Sequence, residues 1–435
     1  MAGRAEEGTG RRHRRAEDRR RIFLAKTTRA VAYGALSGFL FLYLTQDLGF
    51  SSLSSLLVTA LTLVGAAGAN LLALRPLERR LGRRGALRVF VGLFVASALL
   101  LYLSPDPYIV VGAVLVGGVA ASTADNGPLA SLDQAMLPST MRGPDRAAGF
   151  ARYNLWANFA AAGGALLLVV PGALTPRSVP LLPAAPHPWI GLVYVLLAGA
   201  TWFAYSDLTP EVEPRAAVDG APAGPIAPER RDSIRAMAAL FAVDAFAGGM
   251  VINPLLTSYF VLAWHQDAAS VGAILFVVGV VAGLSFLAAG WLSARFGLLP
   301  TMVFTHLPSN LLLILVPFMP TFPLALGALV ARSGLSQMDV PTRQAYTMEL
   351  VPDRERAATA GLLAGSRSVA QSAGPFPAVA LQADGLLAVP FVLAGSLKTA
   401  YDLVLWRRFR HEALPPDAGA GSAPATPSSA SPRRD

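Results

Sequence analysis

The stretch Leu335 to Gly361 reads LSQMDVPTRQAYTMELVPDRERAATAG and is polar, yet it lies between two long apolar runs. On a helix Arg332, Ser336, Asp339, Arg343 and Tyr346 fall at i, i+4, i+7, i+11 and i+14, so they share one face. Charge placed in lipid costs about 2.5 to 3.5 kcal/mol per residue, and such side chains turn inward to partners or to a water-filled path. That face therefore reads as one wall of a solute pathway.

Other polar residues interrupt apolar runs in the same way. Asp244 lies about eight residues, roughly 12 Å, into the run 236–264. A carboxylate at that depth either exchanges protons, as a coupling site, or is a structural charge paired with an arginine of a neighbouring helix. Arg332 and Arg367 sit about eleven residues from the nearer flank of their runs and keep their protons, so each needs an anion: Asp244, Asp339 or the solute itself. Asp339 and Arg343 stand one turn apart with Pro341 between them, and read first as an intrahelical pair or gate contact. Asn154 and Asn158, at i and i+4 beside Arg152, offer amide hydrogen bonds to a solute or between helices.

Several chemistries are excluded. The chain has no cysteine, which removes disulfides and thiolate catalysis. Its five histidines are scattered, and His306 has no spaced second ligand, so no metal site is expected. Gly163-Gly164 and Gly248-Gly249 read as close helix packing, since no G-x-x-x-x-G-K-[ST] surrounds them; neither ATP-driven transport nor a cofactor is expected. No convergent nucleophile or acid pair points to an enzyme.

The elements that must position these residues follow from composition. Of 435 residues 54% are hydrophobic and 14% charged, and the mean hydropathy is +0.49, a balance unsuited to a soluble domain of this length. Twelve apolar runs can be drawn, near 27–46, 52–74, 86–103, 108–131, 147–172, 188–206, 236–264, 270–293, 301–319, 321–346, 356–382 and 386–406. Each is long enough to cross about 30 Å of hydrocarbon as a helix. The expected fold is an all-α membrane protein of twelve transmembrane helices.

The net charge of +9 sits mostly in tails and short connections, which argues for topology rather than nucleic-acid binding. Arg75 to Arg88, Arg142, Arg146, Arg215 to Arg235, Arg295, Arg354, Arg356 and Arg407 to Arg410 fall on one side. Asp47, Asp106, Asp267 and Asp384 fall on the other, with Arg177 almost alone among basic residues. A multi-pass monomer of the inner or plasma membrane, with both termini cytoplasmic, is expected. Residues 1–26 read as a disordered basic arm and 411–435 as a disordered tail. Residues 207–235, rich in proline, alanine and charge, read as a linker between a first bundle, 27–206, and a second, 236–410.

The two halves repeat each other. ADNGPLASLDQAMLP and DRAAGF in the first correspond to MDVPTRQAYTMELVP and ERAATAGL in the second. Asp125 and Asp339 lie 214 apart, as do Pro138 and Pro352; Arg146 and Arg356 lie 210 apart; Arg80 and Arg295, and Gly82 and Gly297, lie 215 apart. A nearly constant offset of this kind marks duplicated helical units. Arg343 and Arg332 have no basic counterparts in the first half, so a solute-contact wall is expected to favour the second bundle.

RPLERRLGRR (Arg75 to Arg84) and GWLSARFG (Gly290 to Gly297) resemble the loop signature G-x-L-x-D-R-x-G-R-R of the major facilitator superfamily. Blocks such as ALFAVDAFAGGM and THLPSN resemble stretches of uncharacterised bacterial members. The resemblance implies two pseudo-symmetric six-helix bundles that rock about a midplane site, and a secondary transporter of a small organic solute. Proton coupling is expected, and the superfamily's breadth favours efflux. Arg80, Gly82, Arg83, Arg84, Gly290, Arg295 and Gly297 would be conformational-switch positions, with Asp125, Asp339 and Arg343 at the same cytoplasmic gate. The signature's aspartates are replaced by Arg79 and Ala294, with only Glu78 adjacent, which places the latch between the bundles in doubt. A transport-dead sensor or scaffold of this fold, or a lipid-modifying membrane enzyme, is the alternative.

Overall fold

The computed structural model describes residues 2–104, 106–116, 127–141, 146–169, 188–213 and 226–411. Asp125 and the tail beyond His411 lie outside them. Helix occupies each of the twelve apolar runs, and no strand occurs among the described residues.

The spans are numbered here in chain order. Span 1 is the latter part of Ala2–Leu42, extended by a π-turn, Tyr43–Asp47. Span 2 begins at Ser52–Gly68 and runs through a π-turn into Leu74–Leu103, whose helix kinks at Gly82; the part beyond Gly82 is span 3. Span 4 comprises Pro107–Val116 and Pro128–Met136, span 5 is Arg146–Ala165 and span 6 is Pro188–Ser206. In the second bundle span 7 comprises Pro228–Gly249 and Asn253–Trp264, span 8 is Ala268–Phe296 and span 9 is Leu298–Leu315. Span 10 comprises Phe322–Ser336 and Asp339–Glu349, span 11 Asp353–Ala373 and Pro375–Ala383, and span 12 is Val389–Phe409. Among the described residues, four continuous helical stretches are long and apolar enough to cross a membrane: Ser52–Leu103, Pro228–Trp264, Ala268–Phe296 and Leu298–Phe318.

The breaks in spans 7, 10 and 11 have a local cause. Pro254 and Pro375 each open the outer half-helix, where a missing N–H costs nothing, and Pro341 in the first turn of Asp339–Glu349 denies the preceding turn a donor. Irregular backbone at membrane depth persists only where protein or a polar cavity surrounds it. These three breaks therefore lie in the second bundle's interior, within about two turns of Asp244, Asp339 and Arg367.

Glycine sets the closest crossings. A Cβ at Gly34 would strike the carbonyl of Ala161, and one at Gly164 the carbonyl of Val31, so spans 1 and 5 meet backbone to backbone. In the second bundle Gly249 faces the Gln371 carbonyl and Gly374 the Phe246 carbonyl, giving the same crossing between spans 7 and 11. Gly34 and Gly249 lie 215 apart, Gly164 and Gly374 210 apart, which carries the duplication into the packing.

The bundles touch along span 1 with span 7, span 2 with span 11, and span 5 with span 8. One buried apolar cluster crosses the boundary, joining Phe41, Leu56, Ala60 and Leu63 to Met250, Ile252, Leu256 and Val379. All of these lie towards the side opposite the termini, which is thereby sealed.

On the terminus side the structure corrects two boundaries. The arm expected to be disordered is helical from Ala2 and continuous with span 1. Acidic partners explain it: buried Asp18 accepts from Thr209 N and Oγ1 at 2.9 and 2.6 Å, Arg14 and Arg15 pair with Glu211, and Arg21 pairs with Asp207 and Glu17. Arg21 holds the Glu17 carboxyl below its ordinary value. The linker also ends sooner than 235, because span 7 already starts at Pro228, where Arg230 makes a two-point contact with buried Glu355 at 2.7 and 3.1 Å.

Candidate functional site

Asp244 is buried on span 7, about 24 Å along the helix from Pro228. Three other spans reach it. Lys398 Nζ of span 12 lies 2.5 Å from Oδ1; Arg367 Nη1 of span 11 and Arg343 Nη1 of span 10 lie 3.0 and 3.3 Å from Oδ2. Arg343 Nη1 also donates to Asp339 one turn back at 2.6 Å, and its guanidinium lies over the Phe241 ring at 5.5 Å. Charge-assisted hydrogen bonds in a low-dielectric interior are strong when geometry is good, and each removed partner leaves a charge behind. The centre thus binds four helices of one bundle into a single electrostatic unit.

Of the residues singled out from sequence, Asp244, Arg367, Asp339 and Arg343 meet here. Arg332 of span 10 is half-buried and lies within electrostatic reach of Asp244. Its Nε is enclosed without a hydrogen-bond partner among the described residues, and so is the hydroxyl of Ser336 one turn along. Asn154 and Asn158 stand apart from this centre: Asn158 Nδ2 donates to the Asn154 carbonyl at 3.0 Å within span 5.

The residues expected to be switch positions in the loops lie at two turns, one in each bundle. Gly82 and Gly297 take φ of 71° and 89°, the left-handed region in which glycine is free of strain, at the turns from span 2 to 3 and from span 8 to 9. Glu213 of the linker accepts the backbone N–H groups of Arg83 and Arg84, both at 2.9 Å, and so caps the start of span 3. Arg83 also donates to Glu78 at 2.9 Å and to the Ala135 carbonyl at 3.1 Å, tying this turn to span 4. Acidic partners missing from the loop itself are thus supplied by Glu78 and the linker. Arg80 and Arg295 are exposed, the latter lying over the Trp291 and Phe296 rings, and Gly290 borders open space.

Sequence reasoning missed four charged participants. Lys398 and Asp402 are i, i+4 charges inside the run 386–406, a signal visible in the sequence. Asp402 is buried between His306 Nδ1, at 3.0 Å, and Asn310 Nδ2, at 2.7 Å, both on span 9. In the first bundle Arg29 of span 1 and Asp133 of span 4 form a fully buried pair at 2.8 Å, completed by Tyr205 and Tyr153, whose hydroxyls donate to Asp133 at 2.7 and 2.8 Å. Arg29 lies 215 residues before Asp244, so the two bundles pin their first and fourth helices with the charges exchanged. The first half also holds a buried arginine, at the position that corresponds to Asp244 rather than to Arg343 or Arg332.

Comparison with known proteins agrees with this architecture. Residues 237–434 match the sequence profile of the Major Facilitator Superfamily. The fold is shared by the human organic anion transporter MFSD10, with TM-score 0.65 and 15% identity over 90% of this chain and 99% of that one. It is shared too by the nucleoside transporter NupG, with TM-score 0.66 and 11% identity over 90% and 100%. A bacterial homolog of the human lysosomal transporter Spinster, in an inward-facing and unoccupied conformation, matches with TM-score 0.60 and 12% identity over 90% and 95%. An uncharacterized membrane protein of Saccharomyces cerevisiae, YJR124C, is 22% identical over 167 residues, 38% of this chain; the match spans 37% of that protein's length. The profile match covers the second bundle, less than half of the chain, while the whole chain shares the fold of these transporters and has the apolar helices of a multi-pass membrane protein.

Proposed function

We propose that the protein is a secondary active transporter that carries a small organic solute by alternating access, with protons as the coupling ion. The observation that carries this reading is the Asp244 centre. One buried carboxylate is held by cations from three helices, in a bundle that meets its partner through an apolar seal on one side. Apolar packing would hold these helices at less cost, so the retained charges point to function. Protonating Asp244 would loosen Arg343, Arg367 and Lys398 together, which lets a proton and a solute bias one equilibrium.

With the termini in the cytoplasm of an inner- or plasma-membrane protein, the sealed side faces outward. The fold's neighbours are named as carriers of organic anions and of nucleosides, which supports a small organic solute here. The expectation of efflux rests on the superfamily's breadth and on no residue of this centre. The sensor or scaffold alternative rested on the missing loop aspartates, and the carboxylates of Glu78 and Glu213 at that turn support the transporter reading over it.

The test is solute flux from a mixed metabolite and drug pool in proteoliposomes under an imposed pH gradient. Gradient-dependent flux is expected, and its absence for every solute rejects transport. Asp244→Asn is expected to abolish the dependence on the gradient; normal pH dependence in a folded variant rejects the coupling role.

A further inference from the structure

The second bundle carries more positive charge than its own carboxylates neutralise. Arg332, Arg343, Arg367 and Lys398 surround Asp244 and Asp339, four cations to two anions. Adding Asp402 on span 12 still leaves one cation in excess even with His306 neutral. Arginine keeps its charge at any accessible pH, so an unbalanced one at membrane depth needs an anion from elsewhere.

Arg332 is where that need is local. Arg343 is bonded to two carboxylates, Arg367 to Asp244 and the Phe241 carbonyl, and Lys398 to Asp244. Arg332 has its Nε enclosed with no acceptor among the described residues, and the Ser336 hydroxyl one turn along is enclosed and unbonded as well. Both belong to the helical face that continues to Asp339 and Arg343, and Asp244 lies within electrostatic reach of Arg332. Gly334, between them on the opposite side, faces Val281 of span 8 at 3.3 Å. An Nε–H with its neighbouring Nη–H makes the side-on fork that fits two oxygens of a carboxylate, sulfonate or phosphate, and a hydroxyl one turn away adds a third donor.

We infer that Arg332 and Ser336 bind the anionic group of the transported solute, so that the substrate class is a small organic anion. This rests on the proposed transport function and adds the substrate's charge to it. An anionic lipid headgroup would present the same oxyanion, and the experiment must separate the two sources.

Thermal unfolding of the protein in phosphatidylcholine nanodiscs, with benzoate, benzenesulfonate and phenyl phosphate against benzamide and benzylammonium, does so. The anions are expected to raise the unfolding temperature, whereas the neutral and cationic analogues are not. Arg332→Gln should weaken the anion's apparent affinity roughly tenfold to a hundredfold, as expected for a lost charge-assisted pair. Arg332→Lys, which keeps the charge and loses the fork, should fall between, and Ser336→Ala should cost several-fold at most, about one neutral hydrogen bond. An unchanged unfolding temperature of the ligand-free variants confirms that they fold. The assignment is overturned if no anion shifts the transition, if benzamide shifts it equally, or if the anion's effect survives Arg332→Gln. It is overturned too if phosphatidylglycerol in the nanodisc replaces the effect of the soluble anions. Arg332-dependent binding without flux in proteoliposomes would sink transport and leave this site standing; flux of neutral solutes without anion binding would do the reverse.

Discussion

Asp244 illustrates how much one carboxylate can hold. Lys398, Arg367 and Arg343 converge on it from three helices, and all but Arg367 are buried. Replacing it with asparagine keeps the shape and removes the charge, leaving cations without their shared anion. Stability should fall by about 3 to 5 kcal/mol, the usual cost of breaking a buried pair from one side. A second change, Lys398→Met, should recover part of that loss because it removes one stranded cation. Unfolding of the purified single and double variants measures both, and an additive double variant would count against the centre as a unit. Asp244, Arg367, Asp339 and Arg343 were legible in the sequence because charge is conspicuous in an apolar run. Lys398 and Asp402, charges inside the apolar run 386–406, were equally visible. Arg29 was hidden for another reason: it follows eight arginines in the first 21 residues, and proximity to that basic arm disguised a buried residue as a flanking one. Which cation meets which carboxylate depends on helix rotation, and one sequence does not encode that locally.

At the scale of helices, the closest contacts depend on glycine on one side of a helix and tolerate substitution on the other. Gly163 and Gly164 are neighbours, yet a Cβ at Gly164 meets the Val31 carbonyl of span 1 and a Cβ at Gly163 meets nothing within 4 Å. Gly164→Ala should therefore destabilise by about 1 to 3 kcal/mol through forced separation of spans 1 and 5. Gly163→Ala should be neutral or stabilising by up to about 1 kcal/mol, since alanine is the better helix former. The same contrast should appear in the second bundle, with Gly374→Ala costly and Gly361→Ala harmless. Thermal unfolding in detergent decides, and equal effects at Gly163 and Gly164 would reject the assigned crossing. Twelve runs, the mid-chain linker and the duplication were readable because apolar length and repetition survive in sequence. The helix breaks were not, except at Pro341. Pro254 and Pro375 sit inside runs that look continuous, and a proline in an apolar run reads as a kink as readily as the start of a second helix.

The whole molecule is two bundles clamped unequally. At the terminus side the start of the linker is fastened to the first bundle through Asp18, Glu211 and Glu213, and its end to the second, where the Ala227 N–H donates to Glu355 at 3.3 Å. These carboxylates lie far from the loop signature in sequence, so their role emerges only once the chain folds back. On the opposite side an apolar cluster joins the bundles, with Leu56 fully buried against the second bundle's residues. Apolar contact has no directional bonds to break, which suits the opening and reclosing that the proposed alternating access requires. The chain contains no cysteine, so a single introduced thiol reports on that seal without background. In Leu56→Cys the thiol should react slowly with a membrane-impermeant maleimide added on the side away from the termini, because access requires the bundles to part. Adding Ile252→Asp places an unpaired carboxylate in the same seal, which is disfavoured while the seal is dry, and should speed labelling by roughly tenfold or more. Fast labelling of the Leu56→Cys protein alone, or no acceleration by Ile252→Asp in a folded protein, would show that this cluster is not the closed gate of a rocking pair.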